Sequence, residues 1–199
     1  YRMFKPSPYS KDEIKSRLGL PADKPIILFF GFIRPYKGLS DLLQALRIII
    51  SKGHKVCLVI AGEFWENRKP YDKIIQELSL HNVVHIFDAY IPDEQASQFF
   101  EVSDVFAAPY SGGTQSGALK AALGFGLPAV VTDIVADNFI KSIPERCRIV
   151  QSGNVTALAR GITDQLQTPK LSESKIQTLF EHSWEMLISE LTENHNTLI

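Results

Sequence analysis

Two stretches of this sequence carry residue types that can hold an anion. The first, GFIRPYKG (residues 31–38), sets Arg34 and Lys37 between Gly31 and Gly38. Two cations at a strand-to-helix turn, beside a helix N-terminus, favour an anion such as a diphosphate. The second, PYSGGTQSGALKAALGFGLP (109–128), sends a glycine-rich loop into a helical run. Thr114, Gln115, Ser116 and Gly117 fall on the expected first turn, where four backbone N–H groups lack intrahelical partners. With the helix dipole such a turn contributes about 0.3–2 kcal/mol toward a nearby negative charge. Gly112 and Gly113 allow a ligand close to the backbone. Each stretch also fits a plainer reading: a solvated basic turn at 31–38, and at 109–128 a Ser116 that only caps the helix.

Two further loops offer weaker chemistry. FDAYIPDE (87–94) presents Tyr90, which can stack on a ring or serve only as packing. AGEFWENRKP (61–70) gathers Glu63, Trp65 and Glu66. Glu63 can accept hydrogen bonds from hydroxyls, and Trp65 reads as a lid over the sheet edge rather than a partner-facing aromatic. The pattern GxGxxG does not occur in the 31–38 loop, nor does GxxxxGK[ST], so neither a standard dinucleotide turn nor a P-loop is expected.

The elements that must position these loops are legible in the apolar pattern. Ser10 and Glu13 form a capping box for a short helix in SKDEIKSRLGL. PIILFFG is a continuous apolar run ending in Gly31, as expected of a strand buried on both faces. In the helix from Leu39 to Lys52, residues Leu42, Leu43, Leu46, Ile49 and Ile50 recur at helical spacing, and Gly53 closes it. Strands KVCLVIAG, VVHIFD, DVFAAP, PAVVTD and RCRIVQ then alternate with helices PYDKIIQELSL, PDEQASQFFEVS, SGALKAALGFG and a short one near ADNFIKSI. Further helices are expected over Val155–Leu166, Ser172–Phe180 and Trp184–Thr192. Buried strands alternating with amphipathic helices predict an α/β fold: a doubly wound, mostly parallel six-stranded sheet, Rossmann-like. Such sheets bind ligands at the carboxyl ends of their strands, where all these loops lie.

Composition narrows the function classes. The 199 residues suit one domain, and 45% hydrophobic content suits a sizeable core. A net charge of −1 with scattered Lys and Arg leaves no footprint for nucleic acid or an anionic membrane. No apolar run reaches the roughly 18 residues a membrane span needs. Cys57 and Cys147 sit in apolar strand-like runs and read as core residues, and the five histidines show no zinc-site spacing. No metal or cofactor is expected, and a reducing cytoplasm is the expected setting. The chain begins at Tyr1, which suggests an excised domain.

Taken in order, LFFGFIRPYKGLSDLLQAL, VIAGEFW, YIPDEQASQFFEVSDVFAAPY, TQSG and GFGLPAVVTD resemble the C-terminal, donor-binding domain of a glycosyltransferase family 4 (group 1) enzyme of the GT-B fold. The resemblance spans nearly everything from KDEIKSRLGL to SWEML. It implies retaining transfer of a sugar from a nucleotide-diphosphate sugar, a UDP- or GDP-sugar, to a glycan or lipid-linked acceptor. Arg34 and Lys37 would grip the diphosphate, amides at Gln115, Ser116 and Gly117 would hold its distal phosphate, and backbone near Tyr90 and Ile91 would meet the base. Gly31, Glu63, Gly113 and Lys120 would line the same donor site. The resemblance also implies an N-terminal acceptor domain outside residues 1–199, toward which the closing helices with Trp184 would pack. Peripheral contact with the inner face of the membrane would come through that domain.

The sequence departs from the family at two positions where many members carry glutamates. These are Gly112 and Lys120, neither of which offers a carboxylate to a hydroxyl. Lys120 either faces solvent or adds a cation to the phosphates. A glycine pair common after a late strand is here Val135 and Ala136. These departures leave open a binding module of the same fold that has lost catalysis. An unrelated parallel α/β protein, such as an epimerase or a flavodoxin-like module, would want a glycine-rich turn or acidic cluster after the first strand, and neither occurs.

Overall fold

The computed structural model describes residues 5–113 and 116–181. Six strands form one sheet: β1 (Ile26–Phe30), β2 (Cys57–Ala61), β3 (Val84–Phe87), β4 (Val105–Ala108), β5 (Ala129–Thr132) and β6 (Cys147–Val150). Their order is β3-β2-β1-β4-β5-β6, and every pair is parallel. The helices are α1 (Lys11–Arg17), α2 (Leu39–Ser51), α3 (Lys69–Glu77), α4 (Asp93–Val102), α5 (Gly117–Gly124), α6 (Asn138–Ser142) and α7 (Val155–Gln165). Residues 173–181 are also helical. The expected helix over Trp184–Thr192 lies outside the described residues.

Alternate strand residues point to opposite faces of a sheet, and two cores result. Ile26, Leu28, Cys57, Val59, Phe106, Ala108 and Val131 pack with α1, α4, α5 and α6 through Ile14, Phe99, Phe100, Leu119, Leu123 and Ile140. Ile27, Phe29, Leu58, Ile60, Val105, Ala107 and Val130 pack with α2, α3 and α7 through Leu42, Leu46, Tyr71, Ile75, Leu158 and Ile162. Both cysteines are buried free thiols, as expected from their apolar runs.

Local signals explain the element ends that matter here. The predicted capping box starts α1: Glu13 N donates to Ser10 Oγ, and Ser10 N donates to Glu13 Oε2. α2 begins from Gly38, whose backbone is left-handed at φ 71°. A Cβ at Gly38 would overlap the carbonyl of Pro109, so glycine is required both for the turn and for the approach of the loop after β4. No described helix is long and apolar enough to cross a membrane.

The strand order reverses between β1 and β4. In doubly wound sheets a ligand crevice opens at that reversal, beyond the carboxyl ends of the two strands. The loops that leave β1 and β4 are 31–38 and 109–116, the two stretches whose chemistry singles them out in the sequence.

Candidate functional site

The loop after β1 is built as a brace between its neighbours. On one side it continues the parallel ladder past the strand ends. Ile33 N donates to Glu63 O and Trp65 N donates to Ile33 O, at 2.9 and 3.0 Å, and Ile33 bridges to Phe64. Gly62 lets this happen, since a Cβ there would overlap the carbonyl of Gly31. On the other side, the 3-10 turn Pro35–Lys37 places the Tyr36 carbonyl where Ser111 N donates to it at 2.7 Å. The Tyr36 ring meets Tyr110 edge-on at 6.1 Å and lies against Gly113, with the Tyr36 Cβ against Gly112.

This bracing divides the two cations. Arg34 lies over the Trp65 ring, with its guanidinium carbon 4.3 Å from the ring centroid. Lys37 turns inward. Its Nζ sits so close to Gly31 that a Cβ there would be 2.9 Å away, and it is 5.6 Å from the centroid of Tyr110. The Tyr110 hydroxyl lies 3.2 Å from Ser116 Oγ, at the mouth of α5. The Lys37 ammonium, the Tyr110 ring and the start of α5 therefore form one wall. Lys37 forms no ion pair with any described residue. Burial, reinforced by the charge of Arg34, pulls its pKa down to about 8. Tyr110 is pinned from behind, as Thr132 Oγ1 donates to its carbonyl at 2.6 Å. Burial pushes its phenol up to about 12, with a smaller opposing effect of the Ser116 hydrogen bond.

Ser116 does cap α5: its Oγ accepts from Leu119 N at 3.1 Å. The cap leaves the amides of Gly117 and Ala118 with no intrahelical acceptor, so the cap and the anion site are compatible. Thr114 and Gln115 lie outside the described residues. Lys120 is exposed on α5, and its backbone N–H donates to Ser116 O.

A cavity of about 170 Å³ opens on the far side of Gly31, lined by Phe30, Gly31, Phe32, Gly62, Glu63, Tyr90, Ile91 and Asp93. It brings together four of the weaker sequence candidates: Gly31, Glu63, Tyr90 and Ile91. Glu63 is oriented by Trp65, whose Nε1 donates to Oε2 at 3.1 Å. Trp65 is 52% exposed and packs on Phe32, a residue of the cavity wall, at 4.3 Å between centroids. Glu66 is used elsewhere, accepting from the Tyr71 hydroxyl.

Sequence reasoning missed Phe32, Tyr110 and Asp93. Phe32 directly follows Gly31, and Tyr110 precedes the glycine pair; both stood inside stretches already singled out. Their type suggested core, and only the approach of the loops across the sheet reveals their place. Among the described residues no group of acidic, histidine or cysteine side chains could hold a metal ion.

Comparison with known proteins bears on the family and the fold. Residues 10–179 match the family described as glycosyl transferases group 1. The chain is 26% identical over 187 residues to a phosphatidyl-myo-inositol mannosyltransferase of Mycobacterium leprae, covering 90% of this chain and 48% of that protein. It thus spans less than half of that relative's length. Among solved structures, the C-terminal domain of a group 1 family glycosyl transferase from Francisella tularensis superposes with a TM-score of 0.72 at 16% identity. That match covers 88% of this chain and 94% of the solved one. Sucrose-phosphate synthase from Thermosynechococcus elongatus gives a TM-score of 0.68 at 19% identity, over 98% of this chain and 49% of that one. The chain belongs to the group 1 glycosyl transferases, and its sheet is that of the C-terminal domain of the GT-B fold.

Proposed function

We propose that this chain is the donor-binding half of a retaining glycosyltransferase of family 4. It takes a sugar from a nucleotide-diphosphate sugar and passes it to a glycan or lipid-linked acceptor. One observation carries the reading. Lys37 holds a partly buried ammonium at the strand-order reversal, with no carboxylate paired to it among the described residues. An unpaired charge withdrawn from water is costly unless a ligand supplies its counter-ion. A diphosphate spanning from Lys37 to the amides of Gly117 and Ala118 meets that need. As the bond to the sugar breaks, negative charge grows on the leaving phosphate, and a fixed cation with oriented amides stabilises it. Arg34, held on Trp65, lies at the nucleoside side of the same crevice, and the cavity beyond Gly31 takes the nucleoside.

Retention follows from the family reading, in which the leaving phosphate assists the attacking hydroxyl and the protein supplies no general base. The N-terminal domain of the same polypeptide would bring the acceptor and close the cleft. Cytoplasmic placement, at the inner face of the membrane through that second domain, completes the proposal. A second reading, a nucleotide-sugar-binding module without catalysis, draws on Gly112 and Lys120, which leave both glutamate positions without a carboxylate.

Calorimetric titration with UDP, GDP and their sugars tests binding. Heat is expected with at least one nucleoside diphosphate, and it is expected to fall sharply in Arg34→Ala and Lys37→Ala. No heat with any nucleotide would contradict both readings. Sugar transfer by the two-domain protein separates them, since a module without catalysis stays silent with every donor.

A further inference from the structure

The charged lining of the cavity beyond Gly31 is one-sided. Among the described residues its charged side chains are Glu63 and Asp93, both carboxylates, with no lysine, arginine or histidine in the wall, and Tyr90 adds a phenol hydroxyl. An ionised carboxylate only accepts hydrogen bonds. The two carboxylates are not equally free. Glu63 already accepts from Trp65 Nε1 through one oxygen. Asp93, the first residue of α4, is exposed, and its carboxylate makes no hydrogen bond to another described residue, so both of its oxygens are open to a ligand in place of water.

The apolar part of the wall is shaped for a flat ring. Phe32 and Tyr90 are near parallel, with an interplanar angle of 28° and centroids 6.5 Å apart. Two rings with a third between them stand about 7 Å apart, each contact being near 3.5 Å, so a slight opening admits a planar guest. Both rings are exposed to such a guest, Phe32 at 37% and Tyr90 at 63%. A volume of about 170 Å³ lies below the roughly 300–1,000 Å³ of sites that hold whole drug-sized ligands. It suits one ring system, with the rest of the ligand reaching out toward Lys37.

A planar group that offers adjacent donors to a carboxylate is the Watson–Crick edge of guanine, with N1–H and the 2-amino group side by side. Uracil offers one donor there, flanked by two carbonyl oxygens that a carboxylate repels. Adenine offers its 6-amino group beside an acceptor nitrogen. We infer that the donor is a guanosine diphosphate sugar: Asp93 accepts two hydrogen bonds from the guanine edge while Phe32 and Tyr90 stack on the ring. Glu63, with one oxygen held by Trp65, is left to accept a single hydroxyl of the nucleoside. This rests on the nucleotide-diphosphate reading above and adds the base to it.

A fully buried site built around such hydrogen bonds discriminates by about 10⁴ or more. This cleft is open to water, which competes for the carboxylate, so about tenfold is the expected scale for one charge-assisted bidentate contact. The test is calorimetric titration of the 199-residue chain with GDP, inosine diphosphate and UDP, repeated on Asp93→Asn. GDP is expected to bind at least about tenfold tighter than UDP, with inosine diphosphate, which lacks the 2-amino group, between them. In Asp93→Asn the preference is expected to vanish while UDP affinity stays within about threefold, a pattern that mere damage to α4 would not give. UDP binding as tightly as GDP, or a preference that survives in Asp93→Asn, overturns the assignment of guanine and leaves the diphosphate site standing. Absence of binding by all three nucleotides overturns the diphosphate site and the base assignment together.

Discussion

Lys37 and Lys170 are partly buried lysines, and burial draws both pKa values down to about 8. Their surroundings differ in kind. Lys170 Nζ donates to the carbonyls of Phe100 and Glu101 at the end of α4, at 3.0 and 2.7 Å. Beside it, Arg146 donates to the carbonyls of Pro169 and Gly126, and Leu171 N donates to Gly126 O. That lysine is a fastener, tying residues 169–171 across the helices of one sheet face. Lys37 has an aromatic ring, a glycine and another cation near it, and no acceptor among the described residues. The same depressed pKa thus accompanies a completed structural contact in one place and an unmet demand in the other. What tells them apart is the partner list, because burial alone perturbs both alike.

The widest separation is expected in ligand binding. Lys37→Met should weaken binding of a nucleoside diphosphate by about a hundredfold, as loss of a partly desolvated charge pair implies. Lys170→Met should leave it within about threefold, being distant and structurally independent. Titration calorimetry on both variants checks this. Equal losses would erase the distinction. Stability should order them the other way. Removing the donor shared by two carbonyls should cost Lys170→Met about 1–3 kcal/mol by denaturant unfolding. Lys37→Met should match the wild type within about 1 kcal/mol or exceed it, because a charge without a counter-ion is removed.

A smaller effect lies in pH. A lysine whose folded pKa is below its unfolded value binds fewer protons folded than unfolded between those values. Folding stability then rises with pH from about 8 to the ordinary 10.5, with the penalty fully present below 8. The advantage of Lys37→Met over wild type should therefore shrink as pH rises from 8 to 10, read from unfolding midpoints. An advantage that stays constant with pH would show that Lys37 is not depressed. The least effect belongs to Lys120→Ala. With its side chain exposed on α5, it should change nucleotide affinity by less than about threefold. A larger loss would bring Lys120 into the site.

Much of this fold could be read from local pattern, because burial on both faces of a parallel sheet leaves apolar runs that no polar alternation obscures. The capping box of α1, the glycine start of α2 and the order of strand and helix all came from residues close in sequence. The same is true of Arg34 and Lys37 as candidates, since they stand three residues apart on one turn. What local pattern could not give is how they part company. Arg34 goes to Trp65 because the loops after β1 and β2 extend their ladder, a contact between residues about thirty positions apart. Lys37 turns inward because Pro35–Lys37 winds into a 3-10 turn against the loop after β4. The pairing of Phe32 with Tyr90 spans a still longer separation, from the first strand to the third. Thr114, Gln115 and the expected helix of Trp184 lie outside the described residues.

A diphosphate that supplies the counter-ion of the Lys37 ammonium should change how many protons the chain holds, so protons are counted on binding. Burial lowers the pKa of Lys37 to about 8 in the free chain, so part of it is neutral at mildly alkaline pH, and a bound diphosphate should restore the charge by drawing a proton from solution. Titrating GDP into the chain in buffers of different ionisation heat measures that uptake. A fractional proton uptake is expected near pH 8, growing as pH rises to 9 and absent in Lys37→Met. Binding with no proton uptake, or uptake that persists in Lys37→Met, would contradict it.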